Sequence, residues 1–164
     1  MDKKKRRPLR EVLPRDDYFM GLAHLIAFGS RNPQHQVGAL ITDANGRHFA
    51  FGTDTLPAPV ADLNDGWDED IVLHAEIEAM RTARFALAGG VLYTSNRPCL
   101  KCVCEALHLG IKRIVYNGKS PEGPDWPKVQ EVMRLSYMQL DEFKGDLNWL
   151  RDQVKWLEVR GLFG

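Results

Sequence analysis

The chain has no net charge, no apolar run long enough for a bilayer, no internal repeat and no cysteine outside one six-residue window. Each absence narrows what it can be. A membrane-spanning helix needs about 20 consecutive apolar residues, so a membrane protein of the helical kind is excluded. Lys and Arg total 22, and Asp and Glu total 22. That balance argues against a partner gripped through many phosphates, such as a nucleic acid. The start, MDKKKRRPLREV, is basic but lacks the apolar segment of a signal peptide. A reducing, cytoplasmic setting is therefore expected. Three cysteines, Cys99, Cys102 and Cys104, make a poor disulfide framework, and their clustering points instead to metal or redox chemistry.

What is present reads as one domain of 164 residues with room for a sizeable core. Residues 1–15 form a basic N-terminal arm, and residues 16–164 form the domain. Asp16 or Asp17 can cap a helix starting near Tyr18, in which Phe19, Leu22, Ala23 and Ile26 recur at helical spacing. Gly29 and Ser30 end it. His24 lies beside the apolar face and reads as structural. Gln36–Thr42 is a buried strand. Asn45-Gly46 offers the positive-φ pair of a tight hairpin, so a second strand returns through Arg47–Thr53. Thr55–Asp70 is a loop. HAEIEAMRTARFALA is a central helix stopped by Gly89-Gly90. VLYTSN and KRIVYN are strands, separated by the helix CLKCVCEALHLG with Pro98 at its entrance and Gly110 at its exit. A strand, a helix and a strand at short spacing imply a parallel pair with a crossover. From about Val129 onward the sequence reads as helical, with a possible break at Gly145-Asp146. The expected class is α/β: a three-layer α-β-α fold with a mixed sheet of about five strands and helices on both faces.

Chemistry concentrates in two stretches. In LHAEIEAM, His74 and Glu76 interrupt an otherwise apolar run. In RPCLKCVC, Cys99 and Cys102 stand three apart at a helix start, so their sulfurs can converge, and the free N–H groups there favour thiolate. His74, at the start of the other helix, can supply a third ligand. One histidine and two cysteines leave an open fourth position, as in catalytic zinc sites. Glu76 can stand beside the metal without ligating it and carry protons. Cys104 should face away from Cys99, as an inert thiol or as a closing fourth ligand.

H-A-E followed by P-C-x-x-C is the signature of zinc deaminases, and the chain resembles the cytidine and deoxycytidylate deaminases, with the dCMP deaminases nearest. YFMGLAHLIAFGSRNPQHQVGALI, FGTDTLP, HAEIEAM, PCLKC and LGIKRIVY carry the resemblance, over roughly Tyr18–Asn117. It implies a cytidine-deaminase-like fold, Zn2+ held by His74, Cys99 and Cys102, and Glu76 as proton carrier. The implied reaction is hydrolysis of an exocyclic amine, with dCMP becoming dUMP and ammonia. Ser30 and Arg31 correspond to a 5′-phosphate segment, or are a helix end and a solvated cation. Gln36, Asp54 and Ser95 are further substrate-contact candidates. The resemblance also implies a homo-oligomer acting on a small nucleotide.

Three departures from the family pattern stand out. Asp54 takes the place of an asparagine, exchanging a group that donates and accepts for one that only accepts. Residues 55–70 contain no Cys or His for a further zinc. The loop after IVYN lacks a closely placed tyrosine, Trp126 being the nearby aromatic, read as packed. Other targets therefore compete with dCMP: another nucleoside, a base or a polynucleotide. A non-enzymatic zinc-stabilised interaction module is a third reading, one in which Glu76 has no use.

Overall fold

The computed structural model describes residues 12–57, 71–118 and 121–159. Residues 1–11 of the basic arm, residues 58–70 of the loop, residues 119–120 and the last five residues lie outside that range. The elements in chain order are α1 (Arg15–Ala27), β1 (Gly38–Thr42), β2 (Phe49–Thr53), α2 (Ala75–Thr82), β3 (Val91–Thr94), α3 (Leu100–His108), β4 (Arg113–Tyr116), α4 (Trp126–Leu135), β5 (Gln139–Glu142) and α5 (Asn148–Val159). The sheet runs β2-β1-β3-β4-β5. β1 is antiparallel to both its neighbours, and β3, β4 and β5 are mutually parallel. The expected mixed sheet of about five strands is what the chain builds.

Alternation along the strands divides the core in two. Leu40, Tyr93 and Val115 point to one face, where Phe19, Met20 and Ala23 of α1 cover them. Ala39, Ile41, Leu92, Ile114 and Tyr116 point to the other, where Ile77 and Met80 of α2, Val103 and Ala106 of α3 and Val129 of α4 cover them. All five β1 residues are buried, as a strand covered on both faces requires. Two glycines permit the close approach of helix to strand. A Cβ on Gly38 would meet the α1 backbone at Ala23 and Ala27, and one on Gly52 would meet the α2 backbone at Ala75 and Ala79.

The open edge of β2 is not bare. The Phe51 carbonyl accepts from Thr82 Oγ1 at 3.1 Å, and the Thr53 N–H donates to Glu78 Oε2 at 2.5 Å. Just beyond, Thr55 and Leu73 exchange backbone hydrogen bonds of 3.0 and 2.8 Å. The end of β2 is thereby stapled to the start of α2.

Several boundaries differ from the sequence reading. α1 begins at Arg15 after Pro14, so Asp16 and Asp17 lie in its first turn and do not cap it. They still suit the helix dipole there, and Asp16 accepts from the Tyr93 hydroxyl at 2.9 Å and pairs with Arg113. The hairpin turn is wider than two residues. Gly46 has φ 66° and Asn45 does not, while Asp43 Oδ1 accepts from the Arg47 and His48 N–H groups at 2.7 and 3.1 Å. α2 stops at Thr82 and does not reach Gly89. Continuing it would turn Arg84 onto the stripe of Ile77 and Met80. The extended course instead half-buries Ala83, Phe85 and Leu87 and exposes Arg84, Ala86 and Ala88.

The region read as helical from about Val129 carries a strand, β5, with Arg113 opposite Gln139 and Tyr116 opposite Glu142. Its four residues, Gln139–Glu142, are mostly polar and partly exposed, as an edge strand guarded by charge should be, and they show no apolar alternation. α4 itself begins at Trp126, three residues before the expected start.

Gly38→Ala is expected to destabilise the protein by roughly 1–3 kcal/mol, because the added methyl meets helix backbone and not a movable side chain. Urea denaturation of the variant beside the parent checks this, and an unchanged midpoint would contradict the close α1–β1 approach.

Candidate active site and metal centre

His74 and Cys99 occupy equivalent places: each is the N-cap of its helix, with extended backbone (φ −65°, ψ 148° and φ −77°, ψ 166°). An N-cap side chain ordinarily turns back onto the helix's own free N–H groups. His74 makes no such bond, Cys99 Sγ accepts from the Cys102 N–H at 3.5 Å, and both side chains also converge on a common focus. His74 Nδ1 lies 3.4 Å from Cys99 Sγ and 3.4 Å from Cys102 Sγ, and the two sulfurs are 3.4 Å apart. The first amide of each helix is satisfied from elsewhere. The N–H of Ala75, first residue of α2, donates to Asp54 Oδ1 at 2.9 Å, and the N–H of Leu100, first residue of α3, donates to Asp125 Oδ2 at 2.6 Å. Two aspartates distant in sequence thus hold the first amides of the two helices, and the imidazole and the two sulfurs face one another.

The donor triangle fits zinc. Tetrahedral zinc, with bonds of about 2.3 Å to sulfur and 2.0–2.1 Å to nitrogen, sets its ligand atoms roughly 3.5–3.8 Å apart. The observed triangle is only slightly tighter. Among the described residues this is the one such group of three, and half-buried Cys104 stands outside it.

Glu76, in the first turn of α2, is 3% exposed. Its Oε1 accepts from Thr94 Oγ1 at 2.8 Å, and its Oε2 lies 3.6 Å from Cys102 Sγ. One carboxylate oxygen is thus fixed by the end of β3 and the other faces the donor cluster. Burial pushes the Glu76 carboxyl above its ordinary pKa, against the opposing Thr94 hydrogen bond.

The ligand groups share charge in the metal-free protein. The hydrogen bond from the Cys102 thiol, helped by His74, pulls Cys99 down to about 4. The hydrogen bond to Cys99 holds His74 up at about 9, against partial burial. Cys102 is raised, first because its proton is held by Cys99 and second because it is buried. At neutral pH the free site is a thiolate–imidazolium pair beside a thiol.

These groups open on a cleft of about 170 Å³, lined by Asn32, His35, Val37, Asp54, His74, Glu76, Asn96, Arg97 and Cys99. Of the other candidates from sequence, Asp54 lines this cleft while also capping α2. Ser30 is buried outside it, donating to the Asp54 carbonyl at 3.3 Å and accepting from the Asn32 N–H at 3.2 Å. Arg31 and Gln36 are exposed and do not line it. The Ser95 hydroxyl accepts from the Gly38 N–H at 3.0 Å, joining β3 to β1.

Residues not singled out from sequence take places here: Asn32, His35, Asn96 and Arg97 on the wall, Thr94 behind Glu76, and Asp125 at α3. Asn32-Pro33 does carry a turn signal. Its Oδ1 accepts from the Gln34 and His35 N–H groups, both at 2.9 Å, an arrangement asparagine favours.

Fold and site together define an α/β protein with a three-donor metal centre and a buried carboxylate beside it, and the comparisons supply the family. Residues 13–117 match the family model of the cytidine and deoxycytidylate deaminase zinc-binding region, and the chain belongs to that family. It is 33% identical over 123 residues to a probable deoxycytidylate deaminase of Drosophila melanogaster, covering 65% of this chain and 61% of that one. It is 28% identical over 163 residues to ComE operon protein 2 of Bacillus subtilis, covering 91% and 82%. It also spans 36% of the deoxycytidylate deaminase of Schizosaccharomyces pombe, at 31% identity over 118 residues and 62% of this chain. Among solved structures, the dCMP deaminase of cyanophage S-TIM5 in complex with dCMP and dUMP superposes with a TM-score of 0.66. It is 23% identical and covers 81% of this chain and 100% of that one. That likeness concerns the fold. Among the described residues, no helix is long and apolar enough to cross a membrane.

Zinc requires neutral imidazole and thiolate sulfur, so loading at neutral pH should expel the protons of His74 and Cys102, roughly two per ion. Apparent affinity should therefore rise steeply with pH until His74 deprotonates near 9, and less steeply beyond, where the raised Cys102 thiol still has its proton to lose. Calorimetric titration of metal-free protein in buffers of different ionisation enthalpy measures the count, and zero proton release would contradict the charge state described above. Separately, Asp125→Ala should cost about 0.5–2 kcal/mol of stability in urea through loss of the α3 cap.

Proposed function

We propose that this deaminase hydrolyses the exocyclic amine of a cytosine nucleotide, converting dCMP and water to dUMP and ammonia. The observation that carries it is the buried Glu76, with one oxygen tied to Thr94 and the other facing a three-donor cluster that leaves a fourth position open. A purely structural zinc site has no use for such a carboxylate. The relatives described as deoxycytidylate deaminases support the choice of substrate.

In this reading His74, Cys99 and Cys102 hold zinc, which when bound supplies the Lewis acidity that makes a water nucleophilic at neutral pH. Glu76 Oε2 would take one proton from the attacking water and deliver it to the ring nitrogen of the base. It would then take the remaining proton of the added hydroxyl and pass it to the amine, so that ammonia leaves, the carbonyl forms and the carboxylate returns to its starting state. Thr94 keeps Oε1 in place, which orients Oε2 toward the cluster throughout. Val37 and the buried start of α2 restrict bulk water. Asp54 and Asp125 keep the two helix ends, and so the ligand atoms, in register. A homo-oligomer in the cytoplasm is the accompanying expectation.

Glu76→Ala should lower kcat for dCMP by roughly 10²–10⁴ while zinc content stays at the parental level. Ammonia release with parallel metal analysis tests it, and a variant that retains turnover would remove Glu76 from the chemistry.

A second reading keeps the chemistry and changes the substrate to an uncharged nucleoside or base. Asp54 favours it, as a buried carboxylate on the cleft wall that would repel an added phosphate. A panel of cytosine, adenine and guanine compounds, as bases, nucleosides and nucleotides, is expected to show ammonia release first from dCMP. Turnover confined to uncharged compounds would establish the second reading instead.

A further inference from the structure

Proton transfer in the cleft leaves one of its wall residues without a task. Arg97 lines the cleft beside Glu76 and the ligands, and it is the permanent cation among the lining residues described. Its side chain is only 17% exposed. The guanidinium carbon sits 5.5 Å from the ring centroid of Tyr116 and 5.0 Å from that of Trp126. Nη2 donates to the Gly118 carbonyl at 2.7 Å. Both rings are buried and pack edge-to-face at 5.4 Å. Stacking of this kind fixes the plane of the fork, and the Gly118 bond fixes its direction. An arginine so held loses little entropy on meeting a planar or tetrahedral anion.

The charges around it matter. Asp54 and Glu76 place two carboxylates on the same wall, and Cys99 and Cys102 serve as thiolates when metal is bound. An anionic substrate is repelled by this set unless a cation receives its charge. Arg31, the candidate from sequence, is exposed and off the cleft. Meanwhile Arg97 faces Glu122 with Nη1 and Oε1 3.9 Å apart, beyond hydrogen-bond reach, and the Glu122 side chain is 62% exposed. A pair that loose and solvated contributes little, so an incoming anion displaces it at small cost.

Resting on the deaminase reading above, we propose that Arg97 is a specificity-determining residue that receives the phosphate of a nucleoside monophosphate, with Glu122 as its displaceable resting counter-ion. The same contact could serve a phosphate within a polynucleotide backbone. The balanced charge of the chain favours the mononucleotide, and the test includes both sources.

The experiment is calorimetric binding of dUMP, deoxyuridine and a single-stranded deoxyuridine oligonucleotide to zinc-loaded protein, with ammonia release from dCMP measured on the same samples. The parent should bind dUMP at least about tenfold more tightly than deoxyuridine, and more tightly than the oligonucleotide per site. Arg97→Ala should weaken dUMP by about 10- to 100-fold, the range for losing a hydrogen bond to a charged group, and weaken deoxyuridine far less. Arg97→Lys should restore only part, since a point charge replaces a fork. Glu122→Gln, at an exposed position that leaves folding intact, should tighten dUMP by about 2- to 5-fold without altering deoxyuridine.

Equal affinity of the parent for dUMP and deoxyuridine would overturn the assignment. Parallel losses for both ligands in Arg97→Ala, no gain for dUMP in Glu122→Gln, or preference for the oligonucleotide would each do the same. Phosphate discrimination without turnover of dCMP would refute the proposed reaction and leave the Arg97 assignment standing. Turnover without discrimination would refute only the latter.

Discussion

Two helix ends lend their cap side chains to a metal, and the rest of the site is arranged around that diversion. A helix start carries N–H groups that need acceptors, and the residue placed to satisfy them is the N-cap. In this chain the two N-caps are His74 and Cys99. Their side chains converge on each other, and the first amides of α2 and α3 turn to Asp54 and Asp125. Each aspartate therefore ties a different segment to the metal centre: the end of β2 through Asp54, and the entry to α4 through Asp125. The antiparallel hairpin β1–β2 and the parallel unit β3–α3–β4, already joined along the β1–β3 ladder, gain further ties at the site through these acceptors.

Electrostatics follow from the same geometry. A thiolate at a helix start and an imidazole at another, 3.4 Å apart, form an ion pair when no metal is present. Glu76 lies a few ångströms further, buried and tied to Thr94. The carboxylate is set by the sheet and the ligands by helix ends, so proton carrier and metal centre have separate supports. Cys104, one turn removed in direction, contributes to neither.

Much of this was readable in order along the chain. His-Ala-Glu and Pro-Cys-x-x-Cys mark the three converging donors and the carboxylate beside them because their spacing is local and their helix starts are marked by Pro98 and by the apolar run after His74. The strands β1, β3 and β4 are mostly apolar and announce themselves. β5 does not, since Gln139, Asp141 and Glu142 belong to an edge and its pairing with β4 is decided by β4's unsatisfied backbone, which no local pattern encodes. The early end of α2 was legible in principle from Arg84 falling on the apolar stripe, but small alanines on either side masked it. Asp54, Asp125 and Arg97 were beyond local reading. Their partners lie far along the chain, and only the fold brings a carboxylate to a distant amide or a guanidinium between two rings.

The stapling of β2 bears on how copies of the chain can meet. An exposed sheet edge invites another strand to continue the ladder. Here the Phe51 carbonyl and the Thr53 N–H are already taken by Thr82 and Glu78 of the chain's own helix. At the opposite edge β5 presents Asp141 and Glu142, held by Arg113 and Lys144. Growth of one sheet into the next is thereby disfavoured at β2, and β5 carries the charged side chains that guard an edge. A strand added at β2 would have to displace both the Thr82 and the Glu78 bonds, whereas the rings of Phe49 and Phe51, about half exposed beside the same edge, can be covered without breaking either.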